Sequence, residues 1–455
     1  MSFIQYISVL PTKTLEGILP QTIKLIADKI RENRRHKGLI KAIECLAREP
    51  LEKLDFGALF SGVRLYGDVN RKCKLALRWC VRKMHNLTNL NLSSKCDDAT
   101  LLELAKHCKS LEEISMPLSD ITDRGLLALC GIEVPCQTTD ATTTIAEGDG
   151  CFKLTKLGIH NCVHITAAGV GSCLRNLPRL KYVSYDKLVE SIEMVIVIDG
   201  DYIKGKKQFM IKNLDEFSEF YNFESRPYVI NTLLRVCPNL ESLRFFTSDE
   251  GCHYLSKIPN IKVLQLETED LGSGFQSLLL QYSNLKSLHL TFRKMSYNQV
   301  IDMSANCPHL EIIRLIGMGI ENSQELNSLQ NKEKCLRNLR VLDVRLHSDE
   351  HPLRLLHFLI DYSLEIEDVT VSTVCSVFES NYLMDLMKPN SMRNLQKLAL
   401  AMSPNTHLTT AVARRVIDML PNLNTLGLTR WNITSKEIKN LKRDIQKKNL
   451  DIKLV

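Results

Sequence analysis

The sequence predicts an α/β solenoid, in which short parallel strands alternate with helices, and two observations carry that prediction. The first is a pattern, L-x-x-L-x-L, clearest in Leu87-Thr88-Asn89-Leu90-Asn91-Leu92, Leu240-Glu241-Ser242-Leu243-Arg244-Phe245, Leu285-Lys286-Ser287-Leu288-His289-Leu290 and Leu423-Asn424-Thr425-Leu426-Gly427-Leu428. Thirteen copies start at Leu51, Leu87, Leu111, Leu154, Leu180, Leu240, Ile261, Leu285, Leu310, Leu339, Ile366, Leu395 and Leu423, with a terminal remnant at Leu450-Asp451-Ile452-Lys453-Leu454. The second is their spacing: from Leu240 to Leu423 successive starts lie 21, 24, 25, 29, 27, 29 and 28 residues apart.

A period of roughly 20 to 29 residues with apolar residues at these offsets is the signature of a leucine-rich-repeat solenoid: a horseshoe with a parallel concave sheet and outer helices. In each copy the fourth and sixth positions share one face of a short strand, so alternation buries them and exposes the third, fifth and seventh. Between strands the period becomes helical. Leu101, Leu104, Ala105 and Cys108 fall at i, i+3, i+4, i+7 behind Asp97-Asp98-Ala99-Thr100, residues suited to a helix N-terminus. Pro227 to Val236, Tyr297 to Ala305 and Thr410 to Met419 read the same way. One strand-turn-helix unit cannot bury its own apolar face, so neighbours must stack.

Length and composition agree with a long solenoid. A chain of 455 residues exceeds the size at which globular chains split into domains, but a solenoid core grows linearly and escapes that limit. The sequence lacks a run of roughly 18 apolar residues, and Met1 to Leu10 has neither the basic start nor the small-residue cleavage site of a signal peptide, so the expectation is an intracellular protein with no membrane partner. Its 15 cysteines are odd in number and scattered, as in a reducing compartment. Cys108, Cys237 and Cys307 each precede a repeat's first leucine by three residues, a place for a small buried hydrophobe that ends a helix and fits beneath the next strand.

Cys-Pro-x-Leu before a strand, together with Ile159-His160-Asn161-Cys162-Val163-His164-Ile165-Thr166-Ala167-Ala168-Gly169-Val170 and Leu118-Ser119-Asp120-Ile121-Thr122-Asp123-Arg124-Gly125-Leu126, resembles the cysteine-containing subclass of leucine-rich repeats. That subclass occurs in F-box leucine-rich-repeat proteins and in relatives of the antagonist of the mitotic exit network. The resemblance covers residues from about 85 to 430, with its best motifs in the first half. It implies substrate selection for a cullin-RING ubiquitin ligase, with adaptor subunits and a substrate protein as partners.

The N-terminus bears on that implication in three ways. Leu19-Pro20-Gln21-Thr22-Ile23 resembles the opening of an F-box, although the valine-cysteine and tryptophan of the motif's end have no equivalent before Leu51, and Trp79 and Cys80 come too late. Thr14, Leu15 and Ile23 resemble the box that recruits elongins in Zyg-11-type receptors, with Leu19 in place of the usual cysteine and Pro20 inside the expected helix. Alternatively, residues 13 to 48 form two helices that cap the first repeat, which any solenoid needs. Thr14, Leu15, Leu19, Pro20 and Ile23 are therefore the candidate adaptor-docking residues.

Two stretches interrupt the repeats. Gln137 to Gly150 is polar and low in complexity, and reads as a disordered surface loop. Ile192 to Ile198 is nearly all apolar and β-branched, and with Gln208-Phe209-Met210-Ile211 it suggests a hairpin or an atypical repeat; Asp215 to Glu224 carries Phe217, Phe220, Tyr221 and Phe223 that would cover it. The resulting organisation is an N-terminal helical cap over 1–50, repeats over 51–185 with the polar loop at 132–150, an atypical insertion over 186–239, and repeats with a C-terminal cap over 240–455.

The net charge of +7 is mild for this length, and the basic clusters at Lys29 to Lys37 and Lys436 to Lys448 fall on terminal helices, where a solvated polar face explains them. Nucleic-acid binding would put basic residues and aromatics along the concave strands. What lies there is mixed: Arg244, Phe246, Gln265, Glu267, His289, Thr291, Arg314, Asp343 and Arg345, a set suited to a protein or peptide. There is no phosphate-binding loop, nucleophile elbow, His-Glu-x-x-His or paired Cys-x-x-Cys, and His160, Cys162 and His164 are an incomplete ligand set. The sequence thus predicts a cytoplasmic or nuclear, non-catalytic interaction protein without a cofactor or metal. It would be a receptor or adaptor for a cullin-RING ligase of the SCF or elongin type; the alternative is a scaffold that binds a protein with no role in ubiquitin transfer.

Overall fold

The computed structural model describes residue 14 and residues 51–57, 67–133, 148–216, 228–321, 336–347, 353–361, 363–373, 383, 392–401 and 408–455. The chain divides into two compact units, residues 1–218 with 231–239, and residues 219–230 with 240–455.

In the first unit a parallel sheet follows chain order: β1 (Lys53–Asp55), β2 (Asn89–Asn91), β3 (Glu113–Ser115), β4 (Lys156–Gly158) and β5 (Tyr182–Ser184). The connecting helices are α1 (Gly67–Val81), α2 (Asp98–His107), α3 (Asp123–Leu129) and α4 (Ala167–Asn176). Then come α5 (Leu188–Ile198), α6 (Gly200–Ile203), β6 (Asn213–Glu216) and α7 (Tyr228–Val236). In the second unit β7 (Ser242–Phe246), β8 (Val263–Thr268), β9 (Ser287–Ser296), β10 (Ile312–Glu321), β11 (Val341–Leu346), β12 (Asp368–Thr373), β13 (Lys397–Ala401), β14 (Thr425–Gly427) and β15 (Lys453–Leu454) again run parallel in chain order. Between them lie α8 (Asp249–Leu255), α9 (Ser273–Gln281), α10 (Tyr297–Asn306), α11 (Leu353–Asp361), α12 (Thr410–Met419) and α13 (Ser435–Lys447). Strand, crossover, helix and parallel strand is the leucine-rich-repeat arrangement that the spacing predicts.

Every one of the thirteen copies opens a strand two residues after its first apolar residue, and the first, fourth and sixth positions are buried in all of them. Leu87, Leu90 and Leu92, for instance, are at most 3% exposed. The same register exposes one copy that the pattern missed. Ile211, Leu214 and Glu216 occupy those positions around β6, and the acid at the sixth hides it from a search for leucine. The terminal copy is also shifted by one residue, since Leu454 pairs with Leu426 and Asp451 takes the first position.

The Ile-Thr-Asp-x-Gly element has a physical explanation. Thr122 caps α3 and Thr166 caps α4, satisfying backbone N–H groups that a helix start leaves open. The aspartate one helix back reaches forward to each cap. Asp98 accepts from Thr122 N and Oγ1, both at 2.7 Å, and Asp123 accepts from Thr166 N at 2.8 Å and Oγ1 at 2.6 Å. A Cβ at Gly125 would lie 2.6 Å from Asp98 Oδ1, and one at Gly169 would run into the Asp123 carboxylate. Glycine is required because the neighbouring repeat's carboxylate fills the space of a side chain.

Cys108 and Cys307 do end α2 and α10, and Cys237 follows α7; all three are buried. Their thiols lie against carbonyls of the preceding repeat: Cys108 Sγ is 3.4 Å from Met84 O and Cys307 Sγ 3.7 Å from Tyr282 O. Cys151 and Tyr282 hold the same place ahead of Leu154 and Leu285. The tyrosine closes its buried hydroxyl by donating to Leu255 O at 2.6 Å.

Of the two readings of Ile192 to Ile211, a hairpin or an atypical repeat, the hairpin is not formed. Ile192 to Ile198 belong to α5, where Leu188, Val189, Ile192, Val195 and Ile196 are buried at helical spacing while Val197 and Ile198 face solvent. Burial of one helical stripe overrides the β-propensity of the run. Beyond α5, Asn213 stands in for a strand against β5: Val183 N donates to its Oδ1 at 2.9 Å, and its Nδ2 donates to Val183 O at 2.7 Å. An amide side chain there satisfies backbone groups that the sheet would otherwise use. Residues 134–147 of the polar loop, Phe217 to Phe223, and the cap over 1–50 apart from Thr14 lie outside the described residues.

Candidate functional site

Two sheet faces are open to ligand. In the first unit the side chains at third and fifth strand positions line a cavity of about 550 Å³ that crosses all five strands. One row runs Lys53, Asn89, Glu113, Lys156 and Tyr182; the next runs Asp55, Asn91, Ser115, Gly158 and Ser184. The floor is the strand backbone at Leu54, Leu90, Ile114 and Leu157, whose side chains are buried on the other side of the sheet. Small residues in the second row leave the depression, and larger ones in the first wall it.

Charge in this groove is locally compensated. Lys156 Nζ lies 2.7 Å from Glu113 Oε1 and 5.8 Å from the Tyr182 ring centre. Both charged side chains are well exposed, so the pair contributes about 0–1 kcal/mol to stability and its role is to shape the wall. Asp55 Oδ1 accepts from Gly57 N and Asn91 Oδ1 from Ser93 N, which fixes both acceptors at the rim of the strands. Sequence reasoning passed over this groove because the residues that hollow it, Asn91, Ser115, Gly158 and Ser184, are short and neutral. The signal was available in the pairing of Ser115, Gly158 and Ser184 at equivalent positions of successive copies.

In the second unit the structure brings together all nine residues expected on the concave face. Arg244, Gln265, His289, Arg314 and Asp343 form one row across β7 to β11. Phe246, Glu267, Thr291 and Arg345 form the next, with Ile316 between Thr291 and Arg345. One of them needs correction: Asp343 is buried, not exposed, because Arg345 folds over it. Nε and Nη2 of Arg345 donate to the two Asp343 oxygens at 2.9 and 2.8 Å, a planar fork that raises the guanidinium's pKa further. His289 is held below the usual imidazole range, first by burial and then by Arg314, Arg345 and Arg244, partly offset by Asp343. Burial and a net positive surround both disfavour its charged form.

The strand length in this unit adds residues that the six-residue pattern did not include. β9 and β10 run ten residues each, which carries Arg293 and Met318 into the surface beyond Thr291 and Ile316. Gly317 makes the extension possible, since the Phe292 ring occupies the space where its Cβ would stand.

Elsewhere the chemistry is structural. Burial pushes the Cys108, Cys252 and Cys307 thiols up to about 12 and raises those of Cys151 and Cys237 further, so these sulfurs stay protonated and are poor nucleophiles. Cys162 Sγ lies 3.3 Å from Met116 O, while His160 Nδ1 is 3.5 Å from Ser184 Oγ, so the two are engaged with different partners. Among the described residues no group of three His, Cys, Asp or Glu is placed to hold a metal, and no helix is long and apolar enough to cross a membrane. Of the docking residues expected at the N-terminus, Thr14 is exposed, and Leu15, Leu19, Pro20 and Ile23 lie outside the described residues.

No protein-family model matches the chain. It is 24% identical over 139 residues to the F-box protein SKIP1 of Arabidopsis thaliana, covering 30% of this chain and 46% of that protein. It is 30% identical over 115 residues to the tubulin-specific chaperone E of Xenopus laevis, covering 24% and 21%. The chain thus matches less than half the length of either curated relative. Among solved structures it is similar to one of the Rad7 and Elc1 complex of yeast, at a TM-score of 0.46 and 14% identity over 93% of this chain and 92% of that one. A leucine-rich-repeat protein of Leptospira interrogans gives 0.37 and 14% over 91% and 97%.

Proposed function

We propose that this chain is a non-catalytic, protein-binding solenoid that works inside the cell as a substrate receptor or adaptor of a cullin-RING ubiquitin ligase. The observation that carries the binding role is the pair of open parallel-sheet faces, one grooved and one basic, whose outward residues, Asp343 apart, stay out of the buried core. An extended solenoid face is the surface that repeat proteins use for partners. Support for the ubiquitin connection is the cysteine-capped repeat grammar of Cys108, Cys151 and Cys307, together with the local identity to an F-box protein. Among the described residues the thiols of Cys108, Cys151, Cys237 and Cys307 are buried and form no disulfide, which agrees with a reducing compartment.

The test is purification of the tagged full chain from cells, followed by mass spectrometry. Recovery of a cullin with an elongin or an SCF adaptor subunit is the expected result, and Leu15→Ser with Leu19→Ser should abolish it without changing the thermal unfolding of the repeats. Stable protein partners without any ligase subunit would overturn the ubiquitin role and leave a scaffold. No specific partner at all would remove the binding role as well.

A further inference from the structure

At the middle of the second sheet the face changes character. Two in-register rows cross β9, β10 and β11, His289, Arg314 and Asp343, then Thr291, Ile316 and Arg345; beyond them Arg293 and Met318 continue a third row along the longer β9 and β10. Asp343 and Arg345 neutralise each other. What remains is two exposed guanidiniums, Arg314 and Arg293, set four residues apart along neighbouring strands, with Ile316 and Met318 between and beside them. Met318 is 54% exposed. An exposed methionine flanked by arginines combines the two residue types that interfaces favour most outside the aromatics.

Row spacing sets the geometry of a fitting ligand. Alternate residues of a strand lie about 6.8 Å apart, twice the 3.4 Å rise, and the alternate side chains of an extended peptide have the same separation. We propose that Arg293, Arg314, Ile316 and Met318 bind an extended acidic segment of a partner protein, with the pattern acidic-x-apolar-x-acidic. Carboxylates two rows apart would meet Arg314 and Arg293, and the apolar side chain between them would rest on Ile316 and Met318. The depressed protonation of His289 agrees with a positive potential here. A nucleic acid would be less well served. Asp343 and Glu267 stand in the same rows, Arg345 is already committed, and the outward aromatic ring in those rows, Phe246, stands two strands away from β9 on β7.

This inference deepens the protein-binding role and does not depend on a ligase. Its test uses the purified full chain and an array of synthetic peptides in which Asp or Glu, an apolar residue, and Asp or Glu alternate with Ser, read by fluorescence anisotropy. Controls are the same peptides with Lys for the acids, their scrambled orders, and a single-stranded oligonucleotide. The acidic-apolar peptides should bind at least about tenfold tighter than either peptide control, and Arg314→Glu or Arg293→Glu should each weaken them by about tenfold or more, as expected when one member of a charge pair is reversed. Lys442→Glu, exposed on α13 and on neither sheet face, should change nothing. Both arginines are exposed, and circular dichroism checks that the variants fold. Equal binding of the scrambled peptides, insensitivity to both reversals, or tighter and equally sensitive binding of the oligonucleotide would each overturn the assignment. Protein partners recovered from cells alongside failure of the array would remove this patch and leave the binding role standing.

Discussion

Between Lys53 and Ser184 each strand is three residues long, and its outward positions hold Asn, Ser, Gly and a Lys–Glu pair around a groove of about 550 Å³. Between Ser287 and Leu346 the strands run six or ten residues and hold Arg, Ile and Met. The buried grammar is the same in both: apolar first, fourth and sixth positions, with an aspartate or a capping residue joining one helix start to the next. The difference therefore lies in the positions that stability does not dictate. A solenoid separates the two requirements, because the inward face of each strand is answerable to packing and the outward face only to a ligand.

That separation also explains what was legible in the sequence. Leucines at positions one and four are forced by burial, so thirteen strands and helices such as 98–107 and 297–306 follow from spacing alone. β6 was lost because Glu216 holds the sixth position, and α5 because six apolar residues between Ile192 and Ile198, broken only by Glu193, resemble a strand until the period of their burial is known. The nine residues of the second face were readable since outward alternation is obligatory. Asp343 was misjudged because pattern shows direction and not what lies on top. The groove of the first face was invisible for a deeper reason: a cavity is made by absent side chains, and Gly158 or Ser184 carries no mark of its own.

The largest effect that tests the comparison comes from truncating equivalent fourth-position leucines. Leu157 and Leu288 are both buried beneath their strands, Leu157 between Ile114 and Val183 and Leu288 between Leu264 and Ile313. Leucine-to-alanine changes in cores cost about 2–5 kcal/mol, the higher values where the void cannot relax. Because the buried grammar is common to both units, Leu157→Ala and Leu288→Ala are expected to cost alike, both within that range. Urea unfolding of both variants decides it; unequal costs would mean that the two cores are not packed alike.

A smaller effect separates the two ways of joining helix starts. Alanine for glycine in a helix is ordinarily stabilising by about 0.5–1 kcal/mol. Gly169→Ala should reverse that sign, because the new Cβ meets the Asp123 carboxylate, and Asp123→Ala in the same chain should restore it, giving a coupling that the double-variant cycle reads. In the second unit Gly274, which stands two residues after its cap Gly272 where Gly169 stands three after Thr166, would put its Cβ against the backbone oxygen of Asp249 instead. Asp249→Ala should therefore fail to rescue Gly274→Ala. Rescue in both units, or in neither, would show that the carboxylate is not what demands glycine in the first.

Acidification gives the smallest response and reaches the two faces at different pH. His289 has a folded pKa below its unfolded value of about 6.5, so it is neutral in both states above that value and contributes no pH dependence there. As pH falls below about 6.5 the unfolded chain takes up a proton that the native chain resists, and stability declines until the folded pKa is passed. Glu103 behaves with the carboxylate's sign. The Arg82 guanidinium, which donates to its two oxygens at 2.7 and 2.8 Å, lowers its pKa despite partial burial, so its contribution is whole above about 4.5 and is lost as pH falls through the folded value. Hydrogen exchange followed from about pH 7.5 to about pH 5.5 should then show protection falling at β9 and β10 before it falls at α2, with the change at β9 removed by His289→Gln. Unaltered decline at β9 in that variant would assign the titration to another group. Binding of an acidic ligand should shift the same transition upward, since a carboxylate laid against Arg314 offsets part of the positive surround that, after burial, disfavours a charged His289.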